Sequence, residues 1–341
     1  MQQKMVSLAL QGGGSHGAFT WGVLDRLLED DRIDIEGISG ASAGAMNAVA
    51  LVHGYTVGGR DGAREALKSF WDKVATKPSF NFLTEEILAG KGIESQSKPA
   101  PMMSALFSMT RFLSPYQLNP FDINPLRDLL AEQIDFERLR AESKIKLFIA
   151  TTQVSTGTLK LFRNKQMSID VLLASACLPA IHHAIMIDGE AYWDGGFTAN
   201  PPIFPLLHQC TARDILVVLL HAYPKAETPT TANEICRRLT EIGFGAALST
   251  ELQGLALAIR EARHGLFAFG RLERRLRKLN THVIEDLEFM SRLNSHSKMN
   301  TNASFIKLLR DEGRMQASLW LDQNFQHLGN RSSFNLRKFL R

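Results

Sequence analysis

Five small residues, Gly40-Ala41-Ser42-Ala43-Gly44, separate two apolar segments of this chain. The short run at 33–38 before them is typical of a strand, and the small-residue run at 45–52 after them is typical of a helix. The two glycines leave room for a tight, strained turn that lifts the Ser42 hydroxyl above a sheet, where the N–H groups at the start of the helix also point. The stretch therefore predicts strand, sharp turn and helix with Ser42 as a nucleophile. The alternative is a plain turn where a helix packs closely on a sheet.

A glycine-rich loop precedes this turn by one strand. Residues 5–10 are typical of a strand, the run Gly12-Gly13-Gly14-Ser15-His16-Gly17 follows, and a helical pattern comes next. Such a loop offers free backbone N–H groups and is a natural anion site. It also matches the dinucleotide fingerprint, with Glu36 near the expected offset of about 20 residues. Nucleotide binding is disfavoured because the strand with Glu36 runs straight into the Ser42 turn, and because the Walker lysine pattern is absent from the sequence.

Length and composition limit the classes of protein that the chain can form. Its 341 residues, 45% hydrophobic and 22% charged, suit a soluble globular protein with one large core or two smaller ones. We expect no run to reach the roughly 18 apolar residues of a membrane span, and the N-terminus lacks the apolar core of a signal peptide. Cys177, Cys210 and Cys236 show no metal-type spacing and suggest reduced thiols. We expect a cytoplasmic protein, with peripheral contact to the inner membrane surface as an option.

Strand and helix patterns alternate over the first two thirds of the chain, which predicts an α/β protein with a mostly parallel sheet between helices. The fully apolar run at 215–220 predicts a central parallel strand. Five prolines and Met-rich apolar stretches mark 77–121 as a lid-like insertion, with an ordinary buried insertion as the alternative. The other expected elements are helices at 58–75, 124–140 and 170–176, a helix opened by Asn200-Pro201-Pro202, strands at 144–152 and 159–162, and a hairpin at 185–187 and 191–193.

From residue 231 onward the pattern is helical and basic. The expected helical segments are 231–279, 281–293 and 302–328, with Gly313 as a candidate break in the last. The first segment is one long helix or two helices with a break near Gly243-Phe244-Gly245 or His264-Gly265. Residues 258–341 contain 16 Lys and Arg against 8 Asp and Glu, whereas the whole chain has a net charge of +4. We therefore expect an α/β domain at 1–230 and a helical basic extension at 231–341. Its basic helices form a solvated face or contact an anionic membrane surface; nucleic acid is disfavoured because no reading motif accompanies them.

Asp194 is the outstanding acidic candidate for a base that activates Ser42. It lies in a Trp-Asp-Gly-Gly turn whose glycines let the backbone approach a neighbour closely. The glycine loop, the Ser42 pentapeptide and Asp194-Gly195-Gly196, in this order and spacing, resemble the patatin-like phospholipase family. The segment Ala174–Pro179 also resembles the Ala-Ser-x-x-x-Pro segment of that family. The resemblance covers roughly residues 5–220, and the helical region after it is similar to the extension of one bacterial branch.

This resemblance implies a three-layer patatin-like fold and a Ser-Asp dyad, in which Ser42 is the nucleophile and Asp194 is the general base without a histidine. It implies an oxyanion hole from the backbone of Gly12, Gly13 and Gly14, to which the Ala43 N–H after the serine adds a donor. The motif-supporting residues are His16, Gly17, Gly40, Gly44, Gly195 and Gly196. The family usually carries Arg or Lys at the position of His16, so a permanent cation is here replaced by a titratable group.

The implied reaction is hydrolysis of lipid acyl esters, of the phospholipase A type, through an acyl-serine and without a metal or cofactor. A Ser-His-Asp hydrolase would need His208 or His221, and it is disfavoured because only 28 residues separate Gly14 from Ser42. Adjacent His182-His183 cannot both face one ion from a regular strand, which disfavours a metal site. The remaining alternatives are an intracellular esterase of polyesters or short acyl esters, and a non-catalytic membrane-associated binding protein on a hydrolase scaffold.

Overall fold

The computed structural model describes residues 3–77, 113–220, 228–264, 270–293 and 295–340. The strands are β1 Lys4–Leu10, β2 Ile33–Gly40, β3 Lys146–Gln153, β4 Thr158–Arg163, β5 Ile185–Ile187, β6 Glu190–Asp194, β7 Asp214–Val218 and β8 Asn280–Ile284. The helices are α1 Gly17–Glu29, α2 Ala43–Thr76, α3 Pro115–Leu118, α4 Pro125–Gln133, α5 Phe136–Glu142, α6 Ile169–Ser175, α7 Phe204–Gln209, α8 Ala232–His264, α9 Arg271–Lys278, α10 Leu287–Arg292 and α11 Ala303–Asn324. Most of the insertion expected at 77–121 lies outside the described residues, as does His221.

Eight strands form one sheet in the order β5-β6-β3-β2-β1-β7-β8, with β4 paired to β3. The run from β3 to β8 is parallel throughout, whereas β4, β5 and β6 join by antiparallel pairing. The prediction of an α/β fold with a mostly parallel central sheet is therefore confirmed. The strand expected at 215–220 is β7, which lies between the parallel neighbours β1 and β8.

The register of the sheet determines which loops meet at its carboxyl edge. Leu10 at the end of β1 is level with Gly40 at the end of β2, and Gly40 is level with Ile149 in the middle of β3. The strand β3 therefore extends beyond β2, and β6 runs back along this extension with Asp194 opposite Thr151. Asp194 consequently arrives beside the turn that follows β2, although it lies far from that turn in sequence.

Helices cover both faces of the sheet, and each face has its own apolar core. Side chains of β7 alternate between them, since Leu216 and Val218 join the larger cluster and Ile215 and Val217 join the smaller one. The helix α8 covers the smaller cluster with a buried apolar face. Contrary to the expectation that no run is long and apolar enough to span a membrane, Glu234–His264 within α8 is so by length and composition. In the protein, 28% of its most apolar 18-residue stretch is buried.

The C-terminal part is largely helical, as predicted, but the prediction of a helix over 281–293 is wrong. Residues Asn280–Ile284 form β8, which pairs with the open edge of β7, and a helix begins only at Leu287. Gly313 is no helix break either: it lies within α11, where a Cβ would overlap the Phe19 carbonyl of α1. A Cβ at Gly22 of α1 would likewise overlap a carbonyl of α11. Two glycines thus let these helices pack at close range.

Two smaller predictions also differ from the structure. The helix expected at 124–140 is divided into α4 and α5, because the Asp135 side chain accepts the Arg138 N–H and caps a new helix. The helix expected to open at Asn200-Pro201-Pro202 begins at Phe204 instead.

Candidate active site

Ser42 occupies a strained position between β2 and α2. Its φ of 53° and ψ of −126° lie in a region that L-residues rarely adopt, and its side chain is half-buried. The Ser42 N–H donates to the carbonyl oxygen of Ser175 at 3.1 Å and to its hydroxyl at 3.0 Å. Ser175 ends α6, so a helix that follows β3 and β4 holds the turn in place. The sequence marked Ser175 only as part of a family-like segment and gave it no role.

The glycines around Ser42 are close-packed against neighbouring backbone. A Cβ at Gly44 would overlap the Leu10 carbonyl at the end of β1, and a Cβ at Gly40 would lie 2.7 Å from the backbone of Gly44. A Cβ at Gly17, at the start of α1, would lie 2.7 Å from that of Ala43. Glycine at these positions therefore lets the ends of β1 and β2 and the starts of α1 and α2 converge on the serine.

Asp194 lies beside Ser42 and is held by three further contacts. Its carboxyl interacts with the Ser42 hydroxyl, which acts to lower its pKa, and accepts a hydrogen bond at 2.7 Å from the Gly196 N–H. Its own N–H donates to the Cys177 carbonyl at 2.8 Å, and the Thr152 hydroxyl donates to its carbonyl at 2.8 Å. Both ends of the residue are thus fixed, and the carboxyl has one defined orientation toward the serine.

Burial changes the acidity of this carboxyl. Asp194 is 1% exposed, and its burial raises the pKa from 3.8 to about 7, while the hydrogen bonds from Gly196 and Ser42 act in the opposite direction. Burial dominates because the described surroundings contribute hydrogen-bond donors and no cation among the causes of the shift. At neutral pH the carboxyl is therefore close to half ionised, which suits a group that takes up and releases a proton.

The glycine loop lies directly against the serine. A Cβ at Gly12 would be 2.8 Å from the Ser42 Cβ, so only glycine allows this approach. The Gly12 N–H donates to Asn200 Oδ1 at 2.6 Å and is therefore not available to an oxyanion, contrary to the expectation for this residue. Within the described parts of the chain, the N–H groups of Gly13, Gly14 and Ala43 have no hydrogen-bond acceptor. These three are the candidate oxyanion donors.

His16 corrects another expectation. Its ring is 3% exposed, and burial, with a smaller contribution from the charge of Lys298, lowers the pKa to about 3. The residue is therefore neutral at physiological pH and does not act as a titratable cation. Its Nε2 lies 2.7 Å from the Ser297 hydroxyl. Lys298, the residue after Ser297, packs against Gly14, where a Cβ would overlap the Lys298 carbonyl oxygen. Lys298, from the C-terminal part, is the cation that lies near this loop.

An aromatic pair covers the Asp194 turn from the side of α8. Phe244 lies against Gly196, where a Cβ would be 2.6 Å from its ring, and its ring centroid is 4.5 Å from that of Phe197. Gly195 faces the other way, and a Cβ there would overlap the Ala150 carbonyl of β3. The predicted site did not include Phe244, because nothing in the local pattern of α8 indicates which loop it contacts.

The structure describes three histidines that the sequence analysis weighed for a metal site or a catalytic triad. His183 stacks on Tyr116 with ring centroids 4.1 Å apart, and its Nε2 lies 3.2 Å from the Pro115 carbonyl. Its neighbour His182 has a pKa lowered by burial. His208 is exposed on α7. Across the described residues, no group of three or more His, Cys, Asp or Glu side chains could hold a metal ion.

Comparison with known families identifies the class of ester-hydrolysing enzyme to which this fold belongs. The family described as Patatin-like phospholipase matches residues 8–207, more than half of the chain. The protein belongs to the patatin-like phospholipase family.

A relative from Vibrio cholerae, named cGAMP-activated phospholipase, is 27% identical in an alignment 220 residues long that covers 59% of this chain and 56% of that protein. The chain thus spans little more than half the length of this relative. The crystal structure of VipD from Legionella pneumophila aligns with a TM-score of 0.44 at 14% identity, and the alignment covers 95% of this chain and 67% of that one.

Proposed function

We propose that this protein hydrolyses carboxylic esters of lipids, with Ser42 as nucleophile and Asp194 as general base. The observation that carries the proposal is that the Ser42 hydroxyl interacts with a buried carboxyl, that of Asp194, whose pKa is about 7. A carboxylate at its ordinary pKa of 3.8 is a weak base, whereas one near 7 accepts a proton readily and is still partly ionised at neutral pH. The strained serine turn and the free N–H groups beside it support the same assignment.

The reaction proceeds in two halves. As Ser42 Oγ attacks the ester carbonyl carbon, Asp194 takes the hydroxyl proton, and the carbonyl electrons move to an oxyanion that accepts from Gly13, Gly14 and Ala43. The oxyanion collapses, the alcohol portion leaves and takes the proton from Asp194, and an acyl-serine remains. A water molecule then gives a proton to Asp194 and attacks the acyl carbon. The fatty acid departs as Ser42 regains its proton from Asp194.

Exposed apolar side chains on the Asp194 turn and on the helix that packs against it favour a lipid over a short-acyl ester. Phe197 follows the Asp194 turn and is 38% exposed although it is a large aromatic residue. The helix α8, which covers this turn through Phe244, also exposes Ile235, Leu239 and Ile242 at spacings of four and three residues. These three share one helical face. An apolar strip on the helix that contacts the Asp194 turn suits a long acyl chain or a lipid surface.

Replacing Ser42 with Ala tests the catalytic assignment. We expect ester hydrolysis to fall by at least about a thousandfold while the circular dichroism spectrum is unchanged. A Ser155→Ala variant, at an exposed turn, is the control and keeps its activity. A fluorophosphonate should label wild type at Ser42 and should not label the Ser42→Ala variant. Retained hydrolysis in that variant contradicts the assignment, and a folded wild type that forms no adduct favours a non-catalytic binding protein.

Chain-length profiling tests the substrate class. With p-nitrophenyl esters of increasing length and with phospholipid vesicles, we expect kcat/KM to rise with acyl length and the vesicles to release fatty acid. A maximum at short acyl esters with no hydrolysis of vesicles would instead assign the protein to the non-phospholipid esterases.

A further inference from the structure

A cleft lies at the amino edge of the sheet, opposite to the edge that carries Ser42. It has a volume of about 530 Å³ and is bounded by residues at the starts of β7 and β8 and by the loop 329–332. Five of the residues that line it are cationic, namely Arg213, Arg263, Arg277, Lys278 and Arg331, and none of its lining residues is acidic. The volume lies within the range of small-molecule sites.

Two of the five cations have no ion-pair partner among the residues that the structure describes. The side chains of Arg213 and Lys278 make no ion pair or hydrogen bond within the described part of the chain, although both line the cleft. Like charges that converge on one concavity repel each other, although water and salt screen this repulsion where the side chains are exposed. An anion in the cleft would relieve it.

Contacts outside the cleft orient the other guanidinium groups. Arg277 pairs with Glu273 at 3.1 Å, and Arg331 lies 2.6 Å from His327 Nε2. Arg263 donates to the Leu279 carbonyl at 3.3 Å. Each group therefore keeps a preferred direction and retains further N–H donors, since a guanidinium has five.

A buried polar network holds one wall of the cleft. The Gly329 N–H donates to both carboxylate oxygens of Asp214 at 3.0 and 2.9 Å, and Asp214 is 3% exposed. His282, fully buried, bridges Asp214 at 2.9 Å and the Ser333 hydroxyl at 2.8 Å. The Ser332 hydroxyl accepts the Thr281 N–H at 3.1 Å. This loop is thus fixed before any ligand arrives, which removes an ordering cost from binding.

We propose that this cleft binds a soluble small molecule that carries two or more phosphate groups. A flat bilayer surface fits less well, because the cations come from separate segments and converge into a concave site. The helix α9 does not present a uniform basic face either: Arg275 turns inward and donates to the carbonyls of Leu207, Thr211 and Ala212. A compact polyanion satisfies several guanidinium groups at once by charge-assisted hydrogen bonds.

Matched double variants test the site. R263Q/K278Q removes two cleft cations, and R260Q/R274Q removes two exposed cations from the same two helices outside the cleft. With pyrophosphate and with ATP at low salt, calorimetry should show one saturable site in wild type. We expect at least tenfold weaker binding in R263Q/K278Q and less than a twofold change in R260Q/R274Q. Circular dichroism verifies folding, and K278Q alone replaces the double variant if that variant does not fold.

Two results would overturn the proposal. The first is the absence of saturable binding of either anion to folded wild type, and the second is equal weakening in both double variants, which indicates non-specific attraction. A parallel experiment measures binding of the same proteins to vesicles of phosphatidylcholine with phosphatidylserine. If the cleft variant loses vesicle binding while wild type binds neither pyrophosphate nor ATP, the cations recognise lipid headgroups and the soluble ligand is wrong.

Discussion

Replacing Asp194 with asparagine should stabilise the protein at the pH where the substitution inactivates it. The carboxyl is buried and its pKa is about 7, against 3.8 in an unfolded chain. Because one pKa unit corresponds to about 1.36 kcal/mol, ionised Asp194 costs the folded state about 4 kcal/mol. Asparagine has the same shape, its Oδ1 can accept the Gly196 N–H, and its amide can donate to Ser42. The D194N variant therefore avoids this penalty and keeps the hydrogen bonds.

The sign of the pH dependence follows from proton uptake. Between about pH 4 and pH 7, the unfolded chain has already lost the Asp194 proton, whereas the folded protein still holds it. The stability of wild type therefore falls as the pH rises through this window, and the fall ends above the folded pKa. With these two pKa values, the loss is about 1.5 kcal/mol at pH 5 and about 4 kcal/mol at pH 8. The D194N variant lacks this component.

Urea denaturation at pH 5, 6, 7 and 8 measures the difference. We expect the free energy of unfolding of D194N minus that of wild type to rise by about 2.5 kcal/mol between pH 5 and pH 8. Glu251, whose pKa burial also raises to about 7, is present in both proteins, so its contribution cancels. A difference that is constant with pH would refute the buried, protonated Asp194, even if D194N loses its activity.

Two further predictions concern the glycine loop. Gly14→Ala should lower the free energy of unfolding by about 2–4 kcal/mol, because Gly14 has a φ of +59° and a Cβ there would overlap the Lys298 carbonyl. The control is Gly157→Ala, where φ is +66° and the space around is open, and it should cost only about 1 kcal/mol in the same urea titration. Equal costs would show that the C-terminal segment does not press on the loop. Ser297→Ala should cost about 1–3 kcal/mol, since His16 loses the hydrogen bond on Nε2 and its Nδ1 has no partner among the described residues. An unchanged urea midpoint in that variant would contradict the buried contact.

Local patterns in the sequence predicted the family and the sheet, because the features that carry them are short. A strand, a glycine-bounded serine and a helix lie next to each other in the chain, and the structure has β2 and α2 on either side of Ser42. The Asp194 turn is equally local, and β6 ends there. The roles of these residues in catalysis remain predictions for the experiments above.

Local sequence patterns could not predict the contacts that the site residues make with distant segments of the chain. Ser42, Gly12 and His16 are held by Ser175, Asn200 and Ser297, which lie 133, 188 and 281 residues away in sequence. The sequence around each of them carries no sign of the loop that it contacts. The expectation that His16 is a titratable cation was wrong for the same reason, since its burial lowers the pKa to about 3.

The strand β8 was missed although a local signal existed. Thr281, Val283 and Ile284 are β-branched, and Asp286 caps α10 by accepting the Phe289 N–H at 2.8 Å. A helical assignment over 281–293 merges a strand with a short helix, because both carry apolar residues at compatible spacings. The open edge of β7 is what decides in favour of a strand, and that edge is a property of the assembled sheet.

The domain boundary expected at residue 230 leads to a last prediction. A fragment of residues 1–230 lacks β8, which pairs with β7, and α11, which packs on α1 through Gly313. It also lacks Leu248 and Leu252 of α8, which cover the smaller core cluster. We expect this fragment to be aggregated or to lack a cooperative urea transition, because one face of the sheet and one strand edge would be left open.

Gel filtration and a urea titration of the fragment, beside the full chain, provide the measurement. A monomeric fragment with a cooperative transition would mean that residues 231–341 are a separable extension. Loss of cooperativity would mean that the segment that orders the glycine loop belongs to the same folding unit as Ser42. In that case the positions of His16 and Gly14 depend on the C-terminal residues Ser297 and Lys298. A change in packing around α11 would then alter the candidate oxyanion donors without touching the dyad.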